Sequence, residues 1–279
     1  MATRVRRVTL PLGDSVPVLG QGSLHLGEDE DRWDDEVAAL QLGLDLGMTL
    51  IDTSEAYGDG AAEDLVGDAI GGRRDDVFLV SQVRPSHFGP LDMPVACEKS
   101  LRRLGTDWID LYLLHSRGFE LLDETLDALD ELVRLEKISL WGVSHFGLRD
   151  LQDLVQVRDG VHMQVDQVPY NLGRRGIEAG LLPWCRARGV PLMACSPIEQ
   201  GRLLARPALH SVAQRHGATP AQVALAWVIG HEGVMTIPRA ASVEHVQENH
   251  GALNLELTRE DLIELDGAFA PPPARLELR

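Results

Sequence analysis

Two strand-like runs end in side chains that can take part in proton transfer. Asp52 ends the run 49–52, and Tyr57 follows it in a loop flanked by glycine. His115 ends the run 108–115. A phenol and an imidazole at neighbouring strand ends can together polarise a carbonyl group. Taken singly, the three residues also have structural interpretations, as a loop cap, a rim aromatic and a satisfied core histidine.

An uncharged residue, Gln82, follows a third strand-like run, 77–81. Arg84 lies two residues further along the strand, and it shares a face with Gln82 because side chains alternate between the two faces. Three roles stay open for Arg84: a source of positive field in the site, a binder of an anionic substrate, or a rim arginine that points to solvent. The only lysines are Lys99 and Lys137. Lys99 lies in a predicted outer helix, and Lys137 comes before a strand, at the end of the fold opposite the strand ends that carry these residues.

Strand-like and helix-like segments alternate almost to the end of the chain. Strands are predicted at 18–24, 49–52, 77–83, 108–115, 138–144, 164–168, 190–196 and 234–238. Amphipathic helices are predicted, for example, at 33–46, 61–70, 95–104 and 122–135, the last with a buried stripe of Leu122, Leu126, Leu129, Leu132 and Val133. Eight strands alternating with helices over about 250 residues favour an α/β fold of the (β/α)₈ TIM-barrel type over an open doubly wound sheet. An open sheet would carry a GxGxxG turn, and Gly20-Gln21-Gly22 lacks the third glycine.

A β-hairpin is predicted before the first barrel strand. Segments 5–10 and 16–19 flank the turn-forming sequence Pro11-Leu12-Gly13-Asp14, and the hairpin is expected to close the bottom of the barrel. No long linker interrupts the pattern, which favours a single domain over residues 1–279. The last residues, from about 270 to 279, contain Pro271-Pro272-Pro273 and are expected to form an extended or disordered tail.

Composition narrows the class of protein. Apolar content of 44% and charged content of 25% are typical of a soluble globular protein. The net charge of −17 argues against nucleic acid as a partner, because phosphate neutralisation needs clustered basic residues. No signal peptide or membrane span is predicted, and Cys97, Cys185 and Cys195 have neither disulfide-like nor metal-ligand spacing. We therefore expect a cytoplasmic protein with no metal site and no membrane partner.

In barrels of this kind, active sites lie at the carboxyl ends of the strands. This rule selects residues at seven of the predicted strand ends, before any family is considered. They are Asp52, Gln82, His115, Ser144, Gln167, Cys195 and Arg239.

Several longer motifs resemble those of the aldo-keto reductase family. They are Ile51-Asp52-Thr53-Ser54-Glu55-Ala56-Tyr57-Gly58, Ser100-Leu101-Arg102-Arg103-Leu104-Gly105-Thr106-Asp107, Asp110-Leu111-Tyr112-Leu113-Leu114-His115, Trp141-Gly142-Val143-Ser144, Ser196-Pro197-Ile198 and Ile237-Pro238-Arg239. The resemblance is collinear from about residue 5 to residue 269. It implies a barrel that binds NADP(H) across its C-terminal face without a Rossmann domain. It also implies that hydride passes from the nicotinamide to a carbonyl carbon while a tyrosine protonates the oxygen.

The resemblance assigns a role to each site residue. Tyr57 is the proton donor, His115 orients the carbonyl and Asp52 is the tetrad carboxylate. Residues similar to the family's cofactor contacts are Gly22, Ser23, Asp52, Ser144, Gln167, Cys195, Ser196, Pro197, Ile198, Gln200, Gly201, Ile237, Arg239, His245, Glu248 and Asn249. Arg239 favours NADP(H) over NAD(H), because a guanidinium matches a phosphate bidentately. His245 stands where many relatives have a second phosphate-binding arginine, which weakens that preference.

Gln82 is the main departure from the family pattern, which has a lysine here to stabilise the tyrosinate. Glutamine can hydrogen-bond both Asp52 and Tyr57 but adds no charge, so alcohol oxidation should suffer more than carbonyl reduction. Cys195 replaces a ring that commonly stacks on the nicotinamide. Other departures are Leu24, Arg84, His145 and Asp166, of which the first three are expected to line the substrate pocket.

The sequence thus predicts an NADP(H)-dependent oxidoreductase that reduces an aldehyde, a ketone or a related C=O or C=N bond, attenuated or retailored by Gln82. Two alternatives stay open. One is a non-redox dehydratase, cyclase or isomerase that uses Tyr57, His115 and Asp52 as acid and base. The other is an NADP(H)-binding protein with little catalysis. In each case the expected partner is a small molecule, and the expected state is a monomer or small homo-oligomer.

Overall fold

Eight parallel strands form a barrel at the centre of the molecule. The computed structural model describes residues 5–118 and 121–271. Its strands are β1 (Arg7–Thr9), β2 (Ser15–Pro17), β3 (Gln21–Gly22), β4 (Leu50–Asp52), β5 (Phe78–Val83), β6 (Ile109–His115), β7 (Ile138–Ser144), β8 (Asp166–Pro169), β9 (Leu192–Cys195) and β10 (Val234–Thr236). Strands β3 to β10 pair in chain order, and parallel bridges from Leu19 to Thr236 and from Gly22 to Arg239 join the two ends of the sheet. The predicted (β/α)₈ fold is confirmed.

Helices surround the barrel and bury one face against it. They are α1 (Trp33–Asp45), α2 (Ala61–Ile70), α3 (Asp92–Leu104), α4 (Leu122–Arg134), α5 (Leu148–Leu154), α6 (Leu181–Arg186), α7 (Pro207–His216), α8 (Pro220–Ile229), α9 (Val243–Gly251) and α10 (Arg259–Ala268). In α4, Leu126, Leu129 and Leu132 are buried as predicted, whereas Val133 is 37% exposed. The predicted stripe is wrong at Val133, because one residue further along a helix lies about 100° around its axis.

The N-terminal hairpin closes the end of the barrel at which the strands begin. Strands β1 and β2 pair antiparallel, and Gly13 turns the chain between them with a φ of +105°, a backbone that glycine adopts without strain. Leu10 and Val16 are buried in the hydrophobic cluster inside the barrel, together with Leu50 at the start of β4. The hairpin prediction is therefore confirmed.

Strand β3 is shorter than the predicted run 18–24. The chain still bonds to both neighbours there, since the Gly20 N–H donates to the Thr236 carbonyl at 2.8 Å and the Ser23 N–H to the Asp52 carbonyl at 3.0 Å. A Cβ on Gly20 would lie 2.6 Å from the Leu50 side chain, which shows how closely the backbones approach. Outside Gln21–Gly22, the predicted strand is therefore joined to its neighbours by individual hydrogen bonds and isolated bridges.

Two predictions concern the ends and surroundings of the chain. None of the helices within residues 5–118 and 121–271 is long and apolar enough to cross a membrane. The predicted tail lies outside the described residues from residue 272 onward. The single domain over 1–279 stays a prediction.

Candidate active site

A cavity of about 900 Å³ opens at the carboxyl ends of the barrel strands. Predicted site residues that line it are Gly22, Leu24, Asp52, Tyr57, His115, His145, Gln167, Cys195, Ser196, Pro197, Ile198, Gln200, Gly201, Ile237, Arg239, His245, Glu248 and Asn249. Ser23, Gln82 and Ser144 are fully buried next to these residues in the chain or in the sheet. Arg84 lines a neighbouring cavity instead. The fold therefore gathers nearly all of the predicted site at one opening.

The rings of Tyr57 and His115 meet edge to face in this cavity. Their centroids are 6.3 Å apart and their planes cross at 85°. His115 is the last residue of β6, whereas Tyr57 begins a short turn after β4 in which Gly58 and Gly60 have positive φ angles. Glycine permits this tight reversal, which returns the tyrosine to the cavity. The spacing leaves room for both side chains to contact one carbonyl oxygen.

Burial favours the neutral forms of both groups. The pKa of Tyr57 is raised by burial first and by the charge of Asp52 second, while a hydrogen bond from Gln82 opposes the shift. The pKa of His115 is lowered, chiefly by burial and then by the neighbouring His145 and Arg84. A neutral phenol can donate a proton, and a neutral imidazole can hydrogen-bond an oxygen.

Asp52, Gln82 and Gln167 form a buried hydrogen-bond network inside the barrel. The Nε2 of Gln82 donates to Oδ1 and Oδ2 of Asp52 at 3.0 and 3.3 Å, and to Oε1 of Gln167 at 3.1 Å. The Nε2 of Gln167 donates to Oδ1 of Asp52 at 2.8 Å. Burial raises the pKa of Asp52 to about 7, although both amides act to lower it. Because both donors are uncharged, neither cancels the charge of the carboxylate.

Gln82 leaves one polar atom unused. Its Oε1 is buried and has no hydrogen-bond partner within the described parts of the chain. An unpaired buried acceptor costs about 1–3 kcal/mol, so stability alone does not account for a glutamine here. The two lysines do not supply the missing charge, since Lys137 pairs with Glu98 at 3.0 Å and Lys99 is exposed on α3.

Arg84 follows β5 and contacts the loop that carries Tyr57. Its Nη2 donates to the Glu55 carbonyl at 2.9 Å and lies 3.5 Å from Oδ1 of Asp59. Arg84 contributes to the lowered pKa of His115, whereas the pKa shifts of Asp52 and Tyr57 arise from other groups. These contacts do not support the first of its three expected roles, a positive field at the tyrosine.

Sequence comparison identifies the family. Residues 18–269 match the profile of the Aldo/keto reductase family. The chain belongs to the aldo/keto reductase family. Over 269 residues it is 47% identical to methylglyoxal reductase YeaE of Escherichia coli strain K12, with 95% of each chain covered. Glyoxal reductase of Bacillus subtilis strain 168 is 32% identical over 262 residues, which cover 93% of this chain and 91% of that protein.

Structural comparison agrees with this family. The crystal structure of an aldo/keto reductase from Klebsiella pneumoniae in complex with NADP and acetate matches this chain with a TM-score of 0.94. The two are 46% identical, and the match covers 97% of each chain. The predicted family resemblance and the prediction of an oxidoreductase of this family are confirmed.

In this aldo/keto reductase, the segment after β9 bends sharply along one side of the cavity. Ser196, Glu199 and Gln200 have φ angles of 51° to 53°. Such backbones carry strain unless their surroundings hold them. The Nδ2 of Asn171 donates to the Ser196 carbonyl at 2.8 Å and to Oε1 of Glu199 at 2.9 Å, and Arg174 pairs with Glu199. The segment is thus fixed by the protein's own contacts.

Two arginines converge at another part of the cavity. Nη2 of Arg239 lies 3.7 Å and Nη2 of Arg32 lies 3.8 Å from the same oxygen of Glu36, whose side chain is 2% exposed. The second oxygen of Glu36 accepts from the Gly27 N–H at 2.9 Å, which anchors the carboxylate. Arg32 and Arg239 both line the cavity, as does His245 at the start of α9. A buried carboxylate therefore positions two partly exposed guanidinium groups side by side.

Sequence reasoning did not select Arg32. Further lining residues that it missed are His25, Leu204, Ala221, Pro238 and Ala241. Arg32 lies in a run of charged residues that resembles a solvated helix start, and its one signal is the spacing of four residues to Glu36. Only the folded chain shows that Glu36 also contacts Arg239.

The donor groups of the cavity fit an NADP(H) molecule. Gln167 lines the cavity and its Oε1 lies 3.4 Å from the Ser144 hydroxyl, so amide and hydroxyl groups stand near Tyr57. The bent segment after β9 lies alongside, and the two guanidinium groups can receive a phosphate. Asn249, on α9, is buried at the same wall. A volume of about 900 Å³ suits a ligand of this size.

Burial raises the pKa of the side chain at two further departures, Cys195 and Asp166. Cys195 lines the cavity, and burial raises the pKa of its thiol to about 12. Asp166 is fully buried, neither carboxyl oxygen has a side-chain partner in the described residues, and its pKa is raised well above the ordinary value by burial. Within these residues, no cluster of three or more His, Cys, Asp or Glu side chains is arranged to hold a metal ion.

Proposed function

We propose that this chain is an NADP(H)-dependent carbonyl reductase in which Tyr57 donates the proton and His115 orients the carbonyl. The observation that carries the proposal is the edge-to-face pair of Tyr57 and His115, which lies in the same cavity as the residues that fit NADP(H). Similar proteins support the cofactor, since the Klebsiella pneumoniae structure is a complex with NADP.

The protein supplies proton transfer and orientation. When bound, the cofactor provides the hydride that reduces the carbonyl carbon. Tyr57 is neutral because its pKa is raised, and its hydroxyl gives a proton to the carbonyl oxygen. His115, also neutral, hydrogen-bonds the same oxygen and fixes its direction. Asp52 stays buried behind Tyr57 and does not contact the substrate in this scheme.

Gln82 biases this chemistry toward reduction. Alcohol oxidation needs Tyr57 as a tyrosinate, and Gln82 offers that anion a hydrogen bond but no charge. Asp52 adds negative charge nearby, which raises the pKa of Tyr57 further. Reduction starts from the neutral phenol and suffers less, although it also leaves a tyrosinate once the proton has been given. We infer a reductase that is slower than one with a lysine at this position.

Small aldehydes are the first substrates to test. Two similar proteins are named methylglyoxal reductase and glyoxal reductase. NADPH consumption followed at 340 nm with methylglyoxal, glyoxal and a panel of aldehydes and ketones is expected to show turnover. If NADPH binds but none of the carbonyl compounds is reduced, the proposed function is wrong.

One observation favours a second candidate, a non-redox enzyme that uses Asp52 in proton transfer. With a pKa of about 7, Asp52 can bind and release a proton near neutral pH, and it lines the cavity. Such an enzyme would give a product of unchanged mass, or one lighter by a water, with no change in absorbance at 340 nm. Mass spectrometry of the reaction mixture separates the two candidates.

We also propose that the protein is cytoplasmic, acts as a monomer or small homo-oligomer, and folds as one domain. The free thiols of Cys97, Cys185 and Cys195 support a reducing compartment. The family match over residues 18–269 supports one domain. Gel filtration with light scattering tests the oligomeric state. A series of high-mass species would contradict the proposal of a monomer or small homo-oligomer.

A further inference from the structure

A second cavity, of about 490 Å³, adjoins the first at the site of proton transfer. His115 and His145 line both cavities. The remaining lining residues of the second are Ala56, Arg84, Pro85 and Ser116. A substrate whose carbonyl contacts His115 therefore has the second cavity available for the rest of the molecule.

This second cavity carries a single positive charge. Burial lowers the pKa values of His115 and His145, so both imidazoles are neutral at pH 7 and above. Of the described residues that line the cavity, Arg84 alone then carries a full charge. The carboxylates that face Arg84, those of Glu55 and Asp59, are not among the lining residues.

The Glu55 carboxylate forms a long ion pair with Arg84, but the hydrogen bond that it accepts from this residue comes from the backbone. Its Oε1 accepts from the Arg84 backbone N–H at 2.8 Å and lies 2.9 Å from Nδ1 of His87. The Arg84 Nε is 3.9 Å from that oxygen and is buried without a hydrogen-bond partner within the described residues. Because Nε is buried, a ligand in the cavity would contact the terminal nitrogens of the guanidinium.

Asp59 shows that a carboxylate can reach the guanidinium. Its Oδ1 lies 3.5 Å from Nη2 of Arg84, and its side chain is 94% exposed. A contact of this length between exposed groups is worth about 0–1 kcal/mol, because solvent screens it. A carboxylate on a substrate that is also held at His115 can displace Asp59, because the Asp59 side chain is 94% exposed and only weakly paired.

We propose that Arg84 is a specificity-determining residue that binds a carboxylate on the substrate. The preferred substrates are then small carbonyl compounds that also carry a carboxylate, with the carbonyl at Tyr57 and His115 and the carboxylate at Arg84. A guanidinium forms two parallel hydrogen bonds to a carboxylate, which fixes the direction of the substrate as well as its position. This inference rests on the proposed reductase function and names its substrate class.

Matched acids and esters test the proposal. We would measure kcat/KM with NADPH for succinic semialdehyde and for 4-carboxybenzaldehyde, each against its methyl ester, so that the reacting aldehyde stays the same within each pair. The wild-type protein is expected to prefer at least one acid to its ester. Arg84→Gln should lower that acid-to-ester ratio by about tenfold, and Arg84→Lys should restore part of it.

Asp59→Asn is the complementary variant, because it removes the competing carboxylate without touching the cavity wall. It should raise the acid-to-ester ratio by about two- to fivefold. Equal rates for acids and esters in the wild-type protein would overturn the proposal. So would an Arg84→Gln variant in which both rates fall by the same factor, since that result indicates a structural role.

A binding measurement separates this proposal from the proposed function. Isothermal titration of the NADP⁺-loaded protein with 4-carboxybenzaldehyde and with its ester needs no turnover. If no carbonyl compound is reduced but the acid binds more tightly and Arg84→Gln abolishes the difference, the reductase function fails and the carboxylate site stands. If acid and ester bind equally, the carboxylate site fails whatever the turnover.

Discussion

The side-chain amide of Gln82 donates to both carboxylate oxygens of Asp52, at 3.0 and 3.3 Å. Gln82 carries no charge, so it does not cancel the charge of Asp52. That charge contributes to the raised pKa of the Tyr57 phenol. Burial also raises the pKa of the Asp52 carboxyl group. Under the proposed mechanism, we expect this pair to favour carbonyl reduction over alcohol oxidation.

Gln82→Lys is expected to increase activity. An ammonium group between Asp52 and Tyr57 lowers the pKa of both and stabilises the tyrosinate. We expect carbonyl reduction to rise by about tenfold, and alcohol oxidation with NADP⁺ to rise by more, within the roughly 10²–10⁴-fold range of acid–base assistance. Steady-state rates at 340 nm in both directions measure this.

Gln82→Met is the matched control, because its side chain has similar length and no charge. It removes the hydrogen bonds to Asp52 and should lower activity and stability. A loss of activity in Gln82→Lys would show that Gln82 is adapted to its own chemistry, and an equal gain in both variants would show that charge is not the cause.

Tyr57→Phe should abolish most of the reductase activity. It removes the proton donor, so kcat should fall by about 10²–10⁴-fold while NADPH still binds. Tyr112→Phe is the control: Tyr112 is buried on β6 in the core cluster, and its hydroxyl has no hydrogen-bond partner in the described residues. Stopped-flow single turnovers and fluorescence titration with NADPH separate chemistry from binding. A Tyr57→Phe variant with wild-type kcat would exclude the proposed mechanism.

Arg32→Gln and Arg239→Gln should each weaken the preference for NADPH over NADH. Both guanidinium groups are held by Glu36 at the cavity, and charged hydrogen bonds to a phosphate contribute about 1.5–3 kcal/mol each, less where solvent screens them. We expect the ratio of the two dissociation constants to change by about tenfold, measured by fluorescence titration. Arg134→Gln, on the exposed face of α4, is the control and should leave the ratio unchanged. If only Arg239 affects the ratio, Arg32 does not bind the phosphate.

Stability should depend on pH through Asp52. Its pKa in the folded protein, about 7, lies above the ordinary value of 3.8, so the folded state binds the proton more tightly than the unfolded state. The stabilisation is complete below pH 3.8 and is lost as the pH rises to about 7. Asp52→Asn removes this dependence. The free energy of unfolding of the variant, minus that of the wild type, should therefore increase from pH 4.5 to pH 8, by about 1.4 kcal/mol per pH unit at most.

Chemical denaturation at several pH values measures this change. Asp59→Asn provides the reference, because Asp59 is almost fully exposed and lies outside the buried network around Asp52. A difference for Asp52→Asn that is constant from pH 4.5 to 8 would show that the carboxyl is not perturbed by burial.

Sequence periodicity predicted the barrel because strand-like and helix-like apolar patterns alternate along most of the chain. Boundaries were less predictable where packing decides them. The first barrel strand is reduced to Gln21–Gly22, although the chain before it still bonds to the neighbouring strands. Val133 is apolar but faces solvent, and no composition rule distinguishes it from its buried neighbour Leu132.

Motifs at strand ends predicted that the candidate catalytic residues lie together, since a parallel barrel brings those ends together. Residues whose roles depend on contacts between distant segments were not. Arg32 became a candidate only because Glu36 holds it beside Arg239, more than two hundred residues away in the chain. The contacts of Arg84 likewise come from the loop after β4, whose path the sequence did not specify.

The join between β3 and β10 links closure of the barrel to ligand binding. Gly22 and Arg239 form one of the two bridges at this join, and both residues also line the main cavity. A phosphate bound to Arg239 would therefore restrain this join of the sheet. Amide hydrogens on either side of the join between β3 and β10 should exchange more slowly when NADPH is present. The exchange rate at this join would then report how much of the protein has bound the cofactor.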